Sequence, residues 1–123
     1  MARVLLVEDN DTNRKAMCRV LESDGNFVES VWSGELALNM FENTSTGFDV
    51  ILMDVGLPGM DGIETTQHLR ELGFHGPIIA FTAHNECGIR ERACNAGCND
   101  FRVKPIKNKD LKEIVRHITF NEV

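Results

Sequence analysis

The chain has 123 residues, 42% of them hydrophobic and 26% charged, and a formal net charge of −6. This is one domain's length, large enough to bury roughly two-thirds of the surface its unfolded form exposes. The acidic balance argues against a nucleic-acid partner held through its phosphates, and no apolar run approaches the ~20 residues of a membrane span.

Apolar strand-like runs alternate with helical patterns from end to end. RVLLV (3–7) is followed by a helix starting near Asp11 and stopping at Gly25, with Ala16, Met17, Val20 and Leu21 inward. FVESV (27–31) leads into a helix after Ser33, a suitable N-cap, with Ala37, Leu38 and Phe41 inward. DVILM (49–53) precedes a helix from about Gly62 to Gly73 built around Ile63, Leu69 and Leu72. PIIAF (77–81) comes before a weaker helix over roughly 85–96, with Gly88 inside it and small residues at Cys87, Ala93, Cys94 and Ala96. An interior glycine costs about 1 kcal/mol relative to alanine, so this element is expected to be the least firmly held. DFRV (100–103) is followed by a helix after Asn108 whose Leu111, Ile114, Val115 and Ile118 form a clear apolar stripe.

Five strand–helix units imply a flavodoxin-like, doubly wound (βα)5 α/β fold with a five-stranded parallel sheet. The runs VLLV, VILM and PIIAF are continuously apolar, as strands covered on both faces must be, whereas FVESV and DFRV carry polar residues that suit edges. Strand order 2-1-3-4-5 follows, with its crevice at the carboxyl ends of strands one and three. Cys18, Cys87, Cys94 and Cys98 contain no CxxC pair and read as reduced thiols packed as small hydrophobes rather than as a zinc site.

On this topology strand one ends in Glu8 and Asp9 beside strand three, which ends in Asp54. Like charges ~4 Å apart repel by about 4 kcal/mol at an effective dielectric of 20. Such a cluster needs protons or a cation, and Mg²⁺ with oxygen ligands fits, Mn²⁺ being the alternative. Each acid also has a plainer role: Glu8, Asp9 and Asn10 suit a helix start, and Asp54 a turn. Strand four ends in Thr82 and Ala83, and the loop after strand five holds Lys104 before Pro105, where a cis peptide bond is one of two options. A hydroxyl and an ammonium opposite a metal–carboxylate cluster are what a phosphoryl group requires. A shielded carboxylate can then act as nucleophile and form an aspartyl phosphate.

With LLVEDN, LMDVGLPGMDG, IIAFTA and DFRVKPI in that order, the chain resembles a response-regulator receiver domain, the phosphoacceptor module of two-component signalling. The match runs from Arg3 to Ile118. The resemblance implies Asp54 as the phosphorylated residue, and Asp9, Asp54 and the Gly56 carbonyl as Mg²⁺ contacts, with Glu8 acting mainly through a bound water. It implies Lys104, Thr82 and the Ala83 N–H as holders of phosphoryl oxygens. Phe101 stands where the family keeps an aromatic that turns inward as Thr82 moves; it is either that switch or a core aromatic on an edge strand. Gly56 and His84 occupy two variable rim positions; Gly56 removes a shielding side chain, and His84 either tunes hydrolysis by steering water or is a surface histidine.

The expected partners are a histidine kinase or histidine phosphotransfer protein as donor, and a downstream protein read through the fourth and fifth helices, with no nucleic acid or membrane. The protein is expected to be a switch that assists its own phosphotransfer and dephosphorylation, not an enzyme acting on others. The N-terminal MARVLLVEDN has too short an apolar segment for a signal peptide, so a cytoplasmic location is expected. Residues 1–123 are expected to form a single receiver domain with no output domain, either a stand-alone regulator or a piece cut from a longer protein, with Met1 directly before the first strand favouring the former. A phosphatase of the haloacid-dehalogenase type is the main alternative, but it needs a second Asp where Gly56 stands. A flavodoxin-like flavin carrier needs a hydroxyl-rich cradle where Glu8 and Asp9 would repel the ligand.

Overall fold

The computed structural model describes residues 1–45, 47–83 and 88–121, with the side chains of 119–121 left aside. Strands β1 (Arg3–Val7), β2 (Phe27–Val31), β3 (Val50–Asp54), β4 (Ile78–Thr82) and β5 (Asp100–Val103) alternate with helices α1 (Asp11–Ser23), α2 (Gly34–Asn43), α3 (Gly62–Glu71), α4 (Ile89–Ala96) and α5 (Asn108–Asn121). The strands are all parallel, in the order β2-β1-β3-β4-β5. β3 and β4 are buried at every position, while β2 and β5 are partly exposed at the edges, as their polar letters require.

Side chains alternate across the pleat and feed two cores. Leu5, Val7, Ile51, Met53, Ile78 and Ala80 pack on one face with α2, α3 and α4. Val4, Leu6, Val50, Leu52, Ile79 and Phe81 pack on the other with Leu21 of α1 and Leu111, Ile114 and Val115 of α5. Among the described residues the first core holds 17 buried apolar residues and the second 11, and full burial of one large side chain is worth about 1.5–3 kcal/mol.

Four local expectations are corrected. Strands β3 and β4 begin and end one residue later than expected, so that Asp54 and Thr82 are themselves strand residues. In α1, Ala16 is exposed, because the inward stripe runs through Arg14, Met17, Cys18 and Leu21, with a buried arginine at its head. In α3, Leu72 is the C-cap and 45% exposed; Thr65 and Thr66 take inward positions instead. Their hydroxyls donate to the carbonyls of Asp61 and Gly62, four residues back, so burying them leaves no donor unsatisfied. Gly88 does not lie inside α4 but caps it at φ 94°, in the left-handed region that glycine alone enters at no cost. Cys87 lies outside the described residues, as do His84, Asn85 and Glu86.

The two ends of α4 are held very differently. It is eight residues long, has no side-chain N-cap, and fully buries only Ala93 and Ala96. Its C-terminal end is tied down by Arg70 of α3, which donates to the carbonyls of Gly97, Phe74 and Gly76 and to Asn99 Oδ1 at 2.7–3.1 Å. A Cβ at Gly97 would come within 2.8 Å of the Arg70 side chain, so this close approach needs glycine. Arg70→Ala strands three carbonyls, and is expected to cost about 2–3 kcal/mol in urea unfolding. Arg70→Lys is expected to recover little of it, because an ammonium lacks the planar five-donor fork.

Candidate functional site: an acidic pocket at the carboxyl edge

The β1–β3 register pairs Leu6 with Leu52 and Val7 with Met53, so one step further sets Glu8 beside Asp54. Both occupy even positions and so face the α1–α5 side of the sheet. Asp54 is held from behind by Gly62, the first residue of α3. A Cβ there would fall 2.1 Å from the Asp54 carbonyl oxygen, so only glycine lets the helix start this close. Asp61 caps α3 by accepting from Glu64 N at 2.9 Å, and Asn10 caps α1 by accepting from Asn13 N at 2.9 Å. In the sequence Gly62 is visible only as the start of a helix, and Arg14 does not stand out.

Glu8, Asp9 and Asp54 offer carboxylate oxygens that all lie within 4.8 Å of one another. Glu8 and Asp54 are buried, Asp9 exposed. Lys104 Nζ reaches Glu8 Oε1 at 2.8 Å and Asp54 Oδ1 at 3.2 Å. Three carboxylates against one ammonium leave two negative charges unmatched when all are ionised. Burial raises the Asp54 carboxyl to about 7, reinforced by the hydrogen bond and charge of Glu8 and opposed by Lys104 and the Gly56 N–H. Burial alone would lower Lys104, but Glu8 and Asp54 outweigh it and hold the ammonium above its ordinary value. All-oxygen donors of this charge suit a hard divalent ion. Among the described residues this is the only such group of acids, cysteines or histidines. Cys98 is a buried free thiol 3.7 Å from Thr66 Oγ1.

The other expected residues line the same edge. Thr82 is buried at the end of β4, and Ala83 follows it, exposed. Asp54 pairs with Phe81 across β3–β4, and Val55 N donates to the Phe81 carbonyl at 2.8 Å, which brings the hydroxyl-bearing strand end alongside Asp54. The peptide bond from Lys104 to Pro105 is cis, and Lys104 N donates to the Thr82 carbonyl at 2.7 Å. Gly56 is exposed and donates its N–H to Asp54 Oδ1 at 3.0 Å. Phe101 is turned inward among Ala93 and Ala96, with the Arg90 guanidinium 5.6 Å from its ring centroid. His84 lies outside the described residues. A cleft of about 340 Å³ opens beside the pocket, lined by Glu8, Ala16, Met17, Lys104, Ile106 and Leu111 among others.

The family model described as response regulator receiver domain matches residues 4–116. The chain belongs to that family. This receiver is 38% identical over 124 residues to hybrid signal transduction histidine kinase M of Dictyostelium discoideum, covering 97% of the chain and 5% of that relative. It is 33% identical over 117 residues to two-component response regulator ORR41 of Oryza sativa subsp. japonica, covering 94% of the chain and 92% of the relative. It superposes on the chemotaxis response regulator CheY4 of Vibrio cholerae with a TM-score of 0.86 at 28% identity, covering 96% and 98% of the two chains. The receiver spans 5–17% of the length of four curated relatives that it matches. Homology thus joins it both to response regulators and to the receiver portions of hybrid kinases, a phosphoacceptor family whose members bind Mg²⁺ in an acidic pocket. Among the described residues, no helix is long and apolar enough to cross a membrane.

The shifted carboxyl has a consequence for stability. Asp54 releases its proton near 3.8 when unfolded and near 7 when folded, so the unfolded state ionises first and rising pH favours unfolding through this group. A shift of this size is worth at most about 4 kcal/mol, so metal-free Asp54→Asn is expected to melt up to about 15 °C above the parent at pH 8. The difference should shrink as pH falls below 7 and vanish near 4, as read by thermal circular dichroism.

Proposed function

We propose that this receiver is a phosphoacceptor switch in which Asp54 takes a phosphoryl group from a phosphohistidine on a histidine kinase or phosphotransfer protein in the cytoplasm. The observation that carries this reading is the Asp54 carboxylate, 5% exposed and 3.2 Å from the Lys104 ammonium, with Glu8 and Asp9 beside it. Asp9, Asp54 and the Gly56 carbonyl would hold Mg²⁺, or Mn²⁺ in its place, with Glu8 acting through a water. The bound ion would supply the positive charge that lets an anionic acceptor meet an anionic phosphoryl group.

In the transfer, an Asp54 carboxylate oxygen attacks phosphorus and the P–N bond to the imidazole breaks. Lys104 stays charged, because its two carboxylate partners favour the ammonium, and it exchanges the Asp54 oxygen for a phosphoryl oxygen. Thr82 and the Ala83 N–H hold the remaining oxygens. The thiol- and acid-free rim at Gly56 offers no second carboxyl, which favours a switch over a phosphatase of the haloacid-dehalogenase type. A Cβ at Gly56 would meet nothing nearer than Asp54 Oδ1 at 3.8 Å, so a shielding side chain fits there.

Movement of Thr82 toward the new group reaches Phe101, which packs against α4, and α4 is held firmly only at its Arg70 end. Phosphorylation biases this pair of arrangements, and a downstream protein reads the difference on α4 and α5. Residues 1–123 act here as one receiver unit, since both cores share one sheet.

Intact mass after incubation with acetyl phosphate and Mg²⁺ is expected to show one added phosphoryl group, absent in Asp54→Asn and formed about 100-fold more slowly in Lys104→Ala. Following the same mass after the donor is removed, Gly56→Asn is expected to keep the group longer. An unlabelled parent protein would contradict the whole reading.

A further inference from the structure

Arg14 is a helix-surface cation by sequence, yet it is 9% exposed, and no other arginine or lysine among the described residues is as buried. Its Nη1 donates to the Glu8 carbonyl at 3.2 Å, and its Nη2 to Asp11 Oδ1 at 2.6 Å. The Trp32 ring covers it, with the guanidinium carbon 5.4 Å from the ring centroid. Trp32 directly follows β2, and Val31 in turn accepts from Glu8 N at 3.1 Å. Arg14 thus ties together the end of β1, the first turn of α1 and the end of β2.

The Glu8 carbonyl belongs to the peptide that joins Glu8 to Asp9. The Glu8 side chain has its own holders, Lys104 Nζ at 2.8 Å and Asn10 N at 3.2 Å. Among the described residues nothing hydrogen-bonds or ion-pairs with the Asp9 carboxylate, so its aim depends on that backbone. Contrast Arg116, whose side chain is 56% exposed and pairs with Asp24, away from the pocket residues. A planar fork can bond a carbonyl and a carboxylate while stacking on an indole; an ammonium cannot.

We propose that Arg14 is a positioning residue for the acid pair: it clamps the Glu8–Asp9 peptide so that both carboxylates face Asp54, and Trp32 is the wall that keeps water off the clamp. This inference rests on the proposed function, because it assigns Arg14 a role in divalent-ion affinity. Partners that orient metal ligands without touching the metal commonly change affinity 10–100-fold when replaced.

The test uses Mg²⁺ alone as the probe, with two readouts, calorimetric Kd and the emission of Trp32, the chain's one tryptophan. In the parent, Mg²⁺ is expected to change that emission, because ring, guanidinium and acid-pair peptide are one connected stack. Arg14→Lys keeps the charge but loses the fork, and is expected to weaken Mg²⁺ binding by about tenfold or more and to uncouple the emission from it. Trp32→Phe should bind nearly as well as the parent and Trp32→Ala several-fold less well, a graded rescue that general loss of stability does not produce. Trp32 is 55% exposed, so its variants keep the test decisive should Arg14 variants unfold. Wild-type Kd in Arg14→Lys, or in Trp32→Ala where Arg14→Lys is unfolded, overturns the inference while leaving the function standing. Absence of Mg²⁺ binding by the parent removes the function and this inference with it.

Discussion

Repulsion among Glu8, Asp9 and Asp54 is the constraint on which the rest depends. Their oxygens converge within 4.8 Å, and the protein supplies one ammonium to meet them. Without a cation, burial first and the hydrogen bond and charge of Glu8 second keep a proton on Asp54, raising its carboxyl to about 7. The pocket can therefore shed its excess charge in two ways, by holding a proton or by holding a cation. A protein does not retain such a cluster for stability, since an apolar replacement would fold better.

Convergence requires a rigid frame, and the parallel sheet supplies it. The pleat puts Glu8 and Asp54 on one face, Gly62 lets α3 start against the Asp54 carbonyl, and the cis Lys104–Pro105 loop brings the ammonium across from β5. The site side of the molecule is thus fixed by backbone pairing. The α4 side is held less firmly: α4 is short, capped by a glycine, and held at one end by Arg70. Phe101 lies between the two, inward against Ala93 and Ala96. A stiff pocket coupled to a loosely held helix is what a charge-driven change of surface needs.

Much of this was legible in the sequence because the signals were periodic. Continuous apolar runs marked β1, β3 and β4, polar ones marked the edges, and strand order followed, which placed Glu8, Asp9, Asp54, Thr82 and Lys104 on one edge. Failures came where a residue's letter misreports its environment. Arg14 reads as solvated yet heads the buried stripe of α1, displacing Ala16 to the surface. Thr65 and Thr66 read as polar yet are fully buried, because each hydroxyl bonds a carbonyl of its own helix, and Leu72 is left outside. Gly88 reads as lying inside a helix, but its positive φ makes it the cap at the helix start. A tertiary contact with Trp32 settled the first, and local backbone bonding and geometry settled the other two.

The most direct measurement is Mg²⁺ titration calorimetry at pH 7 in two buffers of different ionisation enthalpy, which counts protons released on binding. With Asp54 half-protonated in the metal-free pocket, binding should release about half a proton at pH 7, and progressively less above pH 8. Binding with no proton release would show that the carboxylates do not relieve their repulsion on Asp54, and no binding at any pH would contradict the account at its root.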